Sequence, residues 1–480
     1  MILPFIRIIS LLLVIVATTM LFPAGIALYY GETTALWSFL ISILISWAAG
    51  AVFLFAGRGR KLKMSTRSGF AVVACAWTFA SFLGAFPLYL SGCFLSFTDA
   101  FFESVSGFTT TGATILASVE VLPISMNVWR CQMHWLGGMG IVALTVALMP
   151  LLGVGGFQLI KAETTGPEKG KFTPKITVTA KILWFIYLAF TIIQTVLLMA
   201  AGMNFTDAVS HSFASLGTGG YSTRNASIGA YNSPAIDWIC TVFMILGGVN
   251  FTLYYRAIQR NGKEIFENTE LKAYLVIILI SVLIVAISIL PQYGNFLTSI
   301  RYSAFQVVSI ITTTGFSTAD FTKWAPPAQL VLFFLMFIGG CSGSTGGNIK
   351  VIRWVVLGKQ MMNEIRRMLH PHGVFSIRLN GRAGRKDLVY SVSAFIFLYF
   401  MLVLVTTIVA SFDGADIITS FTSSLAMVGN IGPGFGKVGP VENYGFFSPF
   451  TKWWFSFAMI AGRLELYTML VFFMPVYWKK

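Results

Sequence analysis

Four times along the 480 residues, a short polar segment rich in Gly and Thr separates apolar runs long enough to cross a bilayer. These segments are Thr109-Thr110-Thr111-Gly112-Ala113-Thr114, Gly217-Thr218-Gly219-Gly220-Tyr221-Ser222-Thr223, Thr312-Thr313-Thr314-Gly315-Phe316-Ser317-Thr318 and Val428-Gly429-Asn430-Ile431-Gly432-Pro433-Gly434. Hydrocarbon offers no hydrogen bonds, so non-helical backbone at membrane depth must be buried in protein or line water. Four such breaks imply one shared polar interior, an ion path built from a single polypeptide.

That reading requires a membrane protein, and the composition supplies one. Hydrophobic residues make up 56% of the chain and charged residues only 11%, with mean hydropathy +0.78. An ordinary soluble domain carries about 25% charged residues. The length suits about ten spans of about 20 residues, read here at 8–30, 35–56, 69–92, 128–150, 178–201, 235–256, 272–291, 326–357, 387–410 and 451–478. The first stretch resembles a signal peptide only in having Arg7 before an apolar run, because it continues past Pro23 without a cleavage site.

A formal charge of +15 raises the question of nucleic acid, which the charge distribution answers in the negative. The basic residues cluster as Arg58, Arg60, Lys61, Lys63 and Arg67; Lys161, Lys169, Lys171 and Lys175; Arg256, Arg260 and Lys263; and Lys359, Arg366, Arg367, Arg378, Arg382, Arg385 and Lys386, with Lys479 and Lys480 at the end. Ten spans thread all these clusters to one side. The other side holds few, among them Arg224, Lys323, Lys437 and Lys452. The positive-inside rule therefore predicts a multi-pass protein with both termini cytoplasmic. Cys75, Cys93, Cys131, Cys240 and Cys341 are scattered, and His370 with His372 is the only close histidine pair, so no zinc or disulfide pattern is present.

The predicted fold is all-α: two leading helices (1–60), then four helix–pore-loop–helix repeats with pseudo-fourfold symmetry, at 69–150, 175–258, 271–358 and 387–480. A basic link, 359–386, precedes the last. Glu103 to Gly112, His211 to Gly220 and Gln306 to Gly315 each span nine residues. The fourth copy runs from Asp416 through Ser420 to Gly429 or Gly432, and inserted residues are expected there. Each half-helix is too short to span, so it enters and returns on the external side. Asp99, Asp207 and Asp416, with Ser299 in the third copy, are expected to cap the half-helix N-termini.

Cation chemistry explains the residue types. Stripping water from an ion costs tens of kcal/mol in a low-dielectric medium, so substitute oxygens must lie close at hand. Successive carbonyls can point one way only with unusual φ and ψ, which Gly permits, while Thr adds hydroxyl oxygens and stiffness. The half-helix C-termini would add partial negative charge.

Two further features stand out. The run 339–348 has five glycines among ten residues inside the third repeat's last apolar segment, so a continuous helix is not expected there. It is read as an intramembrane gate below the filter, comprising Gly339, Gly340, Ser342, Gly343, Ser344, Gly346 and Gly347, with a static kink as the alternative. Arg463, placed halfway along the last span, faces either the pore or a carboxylate such as Glu103. Lys350 either assists the gate or marks the membrane boundary.

With its motifs in order, the chain resembles the pore-forming membrane subunits of Trk-type potassium uptake systems, in the Trk/Ktr/HKT superfamily. The resemblance is carried by Asp99-Ala100-Phe101-Phe102-Glu103-Ser104, the stretch from His134 to Gly140, the third Gly/Thr segment, the run from Gly339 to Gly347, Asn430 to Gly434 and Gly462-Arg463-Leu464-Glu465. It implies a bacterial inner-membrane homodimer with one pore per protomer, passing K+ and Rb+ over Na+. Thr110, Thr111, Gly112, Thr218, Gly219, Gly220, Thr313, Thr314, Gly315, Asn430, Ile431 and Gly432 would form the filter, and the gating loop and Arg463 would lie below it. It also implies an RCK-type, TrkA-like cytoplasmic ring binding NAD(H) or adenine nucleotides, for which 359–386 is a docking surface; this link is equally suited to anionic lipid. No Thr-Val-Gly-Tyr-Gly string is present, so permissive selection among large alkali cations is expected. K+ is cargo, and no bound cofactor is expected.

No phosphate-cradling Gly-Lys-Ser/Thr loop occurs, so the chain is not expected to hydrolyse ATP or act as an enzyme. An intramembrane enzyme using His134, His211 and Glu103 would leave the fourfold recurrence unexplained. Within transport, the alternative is a symporter coupled to H+ or Na+, for which Glu103 is the one titratable candidate.

Overall fold

The computed structural model describes residues 2–56, 66–140, 176–259, 262–383 and 387–478. Several predicted features fall outside them: 141–150 of the fourth span, the lysines at 161–175, and Arg58, Arg60, Lys61, Lys63, Arg260, Arg385, Lys386, Lys479 and Lys480.

Among the described residues, six helices are long and apolar enough to cross a membrane, and two bent pairs raise this to eight. The six are Ile6–Tyr30, Thr33–Val52, Gly69–Leu90, Ala180–Ala200, Thr269–Tyr293 and Leu388–Ser411. Most of them turn apolar side chains outward. Leu275, Val276, Leu279, Ile280, Leu283, Ile284 and Ile287 form such an exposed stripe on Thr269–Tyr293, a surface that hydrocarbon must cover.

Four short helices behave in the opposite way. Phe97–Phe108, Phe205–Leu216, Phe296–Ile311 and Ile417–Gly429 hold 12 to 16 residues each, and every residue of their inner halves is buried. Too short to span, each ends at one Gly/Thr segment. The architecture is therefore an outer layer of long helices around four half-helices.

Their N-termini are fixed by side-chain caps that differ partly from expectation. Asp416 caps the fourth through the Thr419 N–H. The other caps are Ser96, Asn204 and Asn295. Asp99 and Asp207 sit instead within the first turn, where their charge complements the helix dipole. Ser299 bonds back to Asn295 O and caps nothing.

Two predicted straight spans are bent. Pro234–Gly248 and Phe251–Ile258 meet at 92°, and the last helix breaks after Arg463 by 115°. Glu465 and Leu466 there take positive φ of 55° each, which no helix interior allows. Arg463 thus lies at a helix end rather than halfway along a span. The segment 326–357 divides, as its glycines require, into Pro326–Leu335, a non-helical loop and Val351–Leu369. Among the described residues, one element departs from an all-helical chain: Arg378–Leu379 pairs antiparallel with Arg382–Ala383 around an Asn380-Gly381 turn, both turn residues at positive φ.

Candidate ion filter and gate

The four half-helices end in the same way. Thr110, Thr218, Thr313 and Asn430 adopt left-handed φ of 55°, 52°, 58° and 54°. Each next residue then donates its N–H five residues back: Thr111 to Ser106 O, Gly219 to Ala214 O, Thr314 to Ser309 O and Ile431 to Ala426 O, at 2.8 to 2.9 Å. Positive φ in a β-branched residue is strained, and three threonines share it here. Strain of this kind, about 1–3 kcal/mol each, persists only where the surroundings over-determine it.

Two residues beyond that turn, Gly112, Gly220, Gly315 and Gly432 have φ of 79°, 78°, 82° and 94°. The fourth register is therefore Gly432. Gly429 is still helical, and Ser423, nine residues before Gly432, occupies the Glu103 position. The expected insertion is absent.

The four glycines also form a closed cycle. A Cβ on Gly112 would strike Gly219 O, one on Gly220 would strike Thr314 O, and one on Gly315 would strike Ile431 O. One on Gly432 would meet Thr111 O at 2.7 Å. Each loop thus lays its glycine against the equivalent carbonyl of the next, and the fourth returns to the first. Glycine is required twice over, for the torsion and for this approach.

Side chains on the half-helices grip the returning strands. Glu103 accepts from the Thr114 hydroxyl at 2.8 Å and the Ile115 N–H at 3.1 Å. The His211 ring meets Ser222 at 2.9 Å, Gln306 Nε2 donates to Ala319 O at 2.9 Å, and Thr422 joins both the N–H and the O of Phe435. Glu103 is further paired with Arg130, itself buried and stacked on Tyr221. Its partner is therefore Arg130 and not Arg463. His134 braces the second loop: its Nδ1 lies 2.7 Å from Gly107 O and its ring fills the space beside Gly219. Tyr444 donates to Gly432 O at 2.7 Å, and Tyr221 to Ala113 O at 3.1 Å.

The Gly-rich loop packs directly under this ring. Gly347 N–H donates to the Thr313 hydroxyl at 2.8 Å, and a Cβ on Gly346 would meet Thr312 O at 2.9 Å. On its other flank, Cys341 N–H bonds to Gly248 O, and the Thr345 amide and hydroxyl bond to Gly247 O, at the bend of the second repeat. Asn348 donates to Met336 O and accepts from Tyr399. A Cβ on Gly339, Gly340 or Gly343 would crowd Gly347 O, Gly248 O or Asn250 respectively. Among the described residues the buried Ser344 hydroxyl has no partner, and Ser342 offers its amide to Glu270.

Two cations hold the loop carbonyls. Arg463 donates to Thr345 O at 2.7 Å and to Gly137 O at 2.8 Å, tying the third repeat to the first. Lys350 is buried, and its ammonium donates to Gly346 O. Arg353 pairs with Glu465 at 2.7 Å and lies over the Phe395 ring. That pair and Glu270 were not anticipated. The available signal was acidic residues inside or beside apolar spans, where a charge needs a partner.

Comparison with known proteins agrees with this architecture. Residues 36–480 match the family TrkH, described as cation transport protein. The Trk system potassium uptake protein TrkH of Halomonas elongata is 38% identical, over 99% of this chain and 98% of its own length. TrkG of Escherichia coli K12, from the same system, is 34% identical over 96% and 95%. The crystal structure of the potassium transporter TrkH from Vibrio parahaemolyticus superposes with a TM-score of 0.89 at 36% identity, covering 99% of both chains. A closed ring of four re-entrant loops and similarity along the full length lead to one assignment: the chain belongs to the TrkH family of cation transport proteins.

Proposed function

We propose that this protein is the pore-forming subunit of a potassium uptake system in the bacterial inner membrane, with both termini cytoplasmic. The supporting observation is the closed glycine–carbonyl cycle at Gly112, Gly220, Gly315 and Gly432, since quasi-symmetric carbonyls can replace a hydration shell. In this reading, Thr110, Thr111 and Gly112, with their counterparts in the other three loops, hold dehydrated K+ or Rb+. The half-helix C-termini favour a cation there. The repeats are those at 69–150, 175–258, 271–358 and 387–480, after a two-helix leader at 1–60.

Beneath the filter, the 339–348 loop acts as the gate. Arg463 and Lys350 hold it closed through its carbonyls and put positive charge in the cation path. Flow is channel-like. Proton coupling needs a titratable group free to exchange protons, and both Glu103 oxygens already accept hydrogen bonds. The protein works as a homodimer, and an RCK-type ring binding NAD(H) or adenine nucleotides docks at 359–386.

Proteoliposomes holding the purified protein test this. A K+ gradient alone is expected to drive Rb+ accumulation, unchanged when pH or Na+ is varied separately. Flux that vanishes without a proton or sodium gradient would replace the channel with a symporter, and no alkali-cation flux at all would remove the reading.

A further inference from the structure

Glu270 lies in the first turn of Thr269–Tyr293, the most apolar span among the described residues, and is 7% exposed. A carboxylate in such surroundings needs donors. One oxygen, Oε1, accepts two: the Ser342 N–H at 2.7 Å and the Ile352 N–H at 3.2 Å. These amides belong to different stems of the intramembrane loop. Ser342 lies in its first arm, and Ile352 in the opening turn of Val351–Leu369, where the chain leaves the loop.

That opening turn explains why a carboxylate is used. The residue at its N-cap, Lys350, makes no side-chain cap; the Val351 N–H goes to Gly340 O and the Arg353 N–H to Lys350 O, which leaves the Ile352 N–H between them to a partner from outside the helix. Glu270 supplies an acceptor and a negative charge from a separate helix. The same atom also holds the far stem, beside the backbone bonds from Gly339 N–H to Ile349 O and from Val351 N–H to Gly340 O that close the base of the loop. A contact made in one arrangement of the loop and lost in another biases the equilibrium between them.

We propose that Glu270 is a positioning residue of the gate, whose Oε1 clamps both loop stems in the closed arrangement and must release at least one for opening. The proposal rests on the reading of 339–348 as the gate. The Thr269–Asn380 bonds give this clamp a neighbour outside the span: Asn380 accepts from Thr269 N–H at 2.8 Å, and its own N–H donates to the Thr269 hydroxyl at 3.2 Å.

The test is radioactive Rb+ flux into proteoliposomes for the wild type, Glu270→Ala, Glu270→Asp and Glu270→Gln, each first checked for wild-type elution and melting. Losing a hydrogen bond to a charged group is expected to raise flux by roughly tenfold in Glu270→Ala, equivalent to about 1.4 kcal/mol. Asp keeps the charge but is one methylene too short to reach both amides, so flux rises there as well. Gln keeps an oxygen at full reach and returns flux to near the wild-type level. The reverse order, with Asp like wild type and Gln altered, makes the role one of charge and overturns the clamp. Unchanged or lower flux in Glu270→Ala also overturns it. If that variant does not fold, the Asp and Gln order decides. A wild type that carries no Rb+ removes the transport reading instead, a result separate from any ranking of the variants.

Discussion

The filter loops and the loop at 339–348 are both non-helical chain deep in the protein, yet they are secured differently. The four Gly/Thr loops share one cyclic backbone arrangement, four matching helix terminations and then four glycines each against the next carbonyl, with side chains bracing it from behind. No loop can shift without displacing its neighbour. The 339–348 loop occurs once and closes no cycle: backbone bonds tie it to Gly247, Gly248 and Phe251, and the side chains of Thr313, Tyr399, Arg463, Lys350 and Glu270 add separate ties. Its ties can be undone one at a time. In the proposed reading, the cyclic packing makes the rigid element and the separately tied loop the switchable one.

The largest expected effect is at the ring itself. Gly220→Ala should abolish Rb+ uptake in protein that still folds, because the methyl strikes Thr314 O and the φ of 78° is itself unfavourable for Ala. Gly432→Ala should be milder, since its nearest carbonyl lies at 2.7 Å. Equal uptake by both variants and wild type would break the comparison at its rigid end.

Next comes the buttress behind the first loop. Glu103→Ala strands the buried Arg130 guanidinium and should lower stability by about 3–5 kcal/mol, measured as a fall in melting temperature. Uptake should fall with it. A melting curve like that of wild type would mean the pair supports nothing.

Arg463→Gln sharpens the switchable end. It removes charge and weakens the tie to Thr345 O and Gly137 O, so Rb+ flux should rise several-fold while melting changes little. The smallest effect is expected from Tyr399→Phe, which deletes one hydrogen bond to Asn348, about 1 kcal/mol, and should raise flux modestly. A drop in flux for both would show that these contacts hold the loop open.

Much of this fold was legible in sequence because its strongest signals are local. Apolar run length sets spans, and a polar Gly/Thr segment between two runs sets a re-entrant loop. The glycine density at 339–348 foretold a break, and the structure has one. Boundaries were weaker where a bend replaced a stop: the 92° turn after Gly248 and the 115° turn after Arg463 leave hydropathy nearly unchanged. Caps were only partly legible, since Ser96, Asn204 and Asn295 compete in sequence with nearby residues able to do the same. In the fourth loop, Asn replaces the strained Thr and Pro433 follows the glycine, so spacing alone left Gly429 and Gly432 open.

By itself, the sequence determined the solvent, the fourfold repetition and the glycines without which the loops cannot turn. Those follow from hydropathy and backbone sterics, which act over a few residues. Only the tertiary structure decided which carbonyl each glycine meets, that Glu103 pairs with Arg130, and that Glu270 reaches both stems of the loop. Such partners lie from 27 residues apart, Glu103 and Arg130, to 321, Thr111 and Gly432, and a charge in an apolar span announces only that a partner must exist.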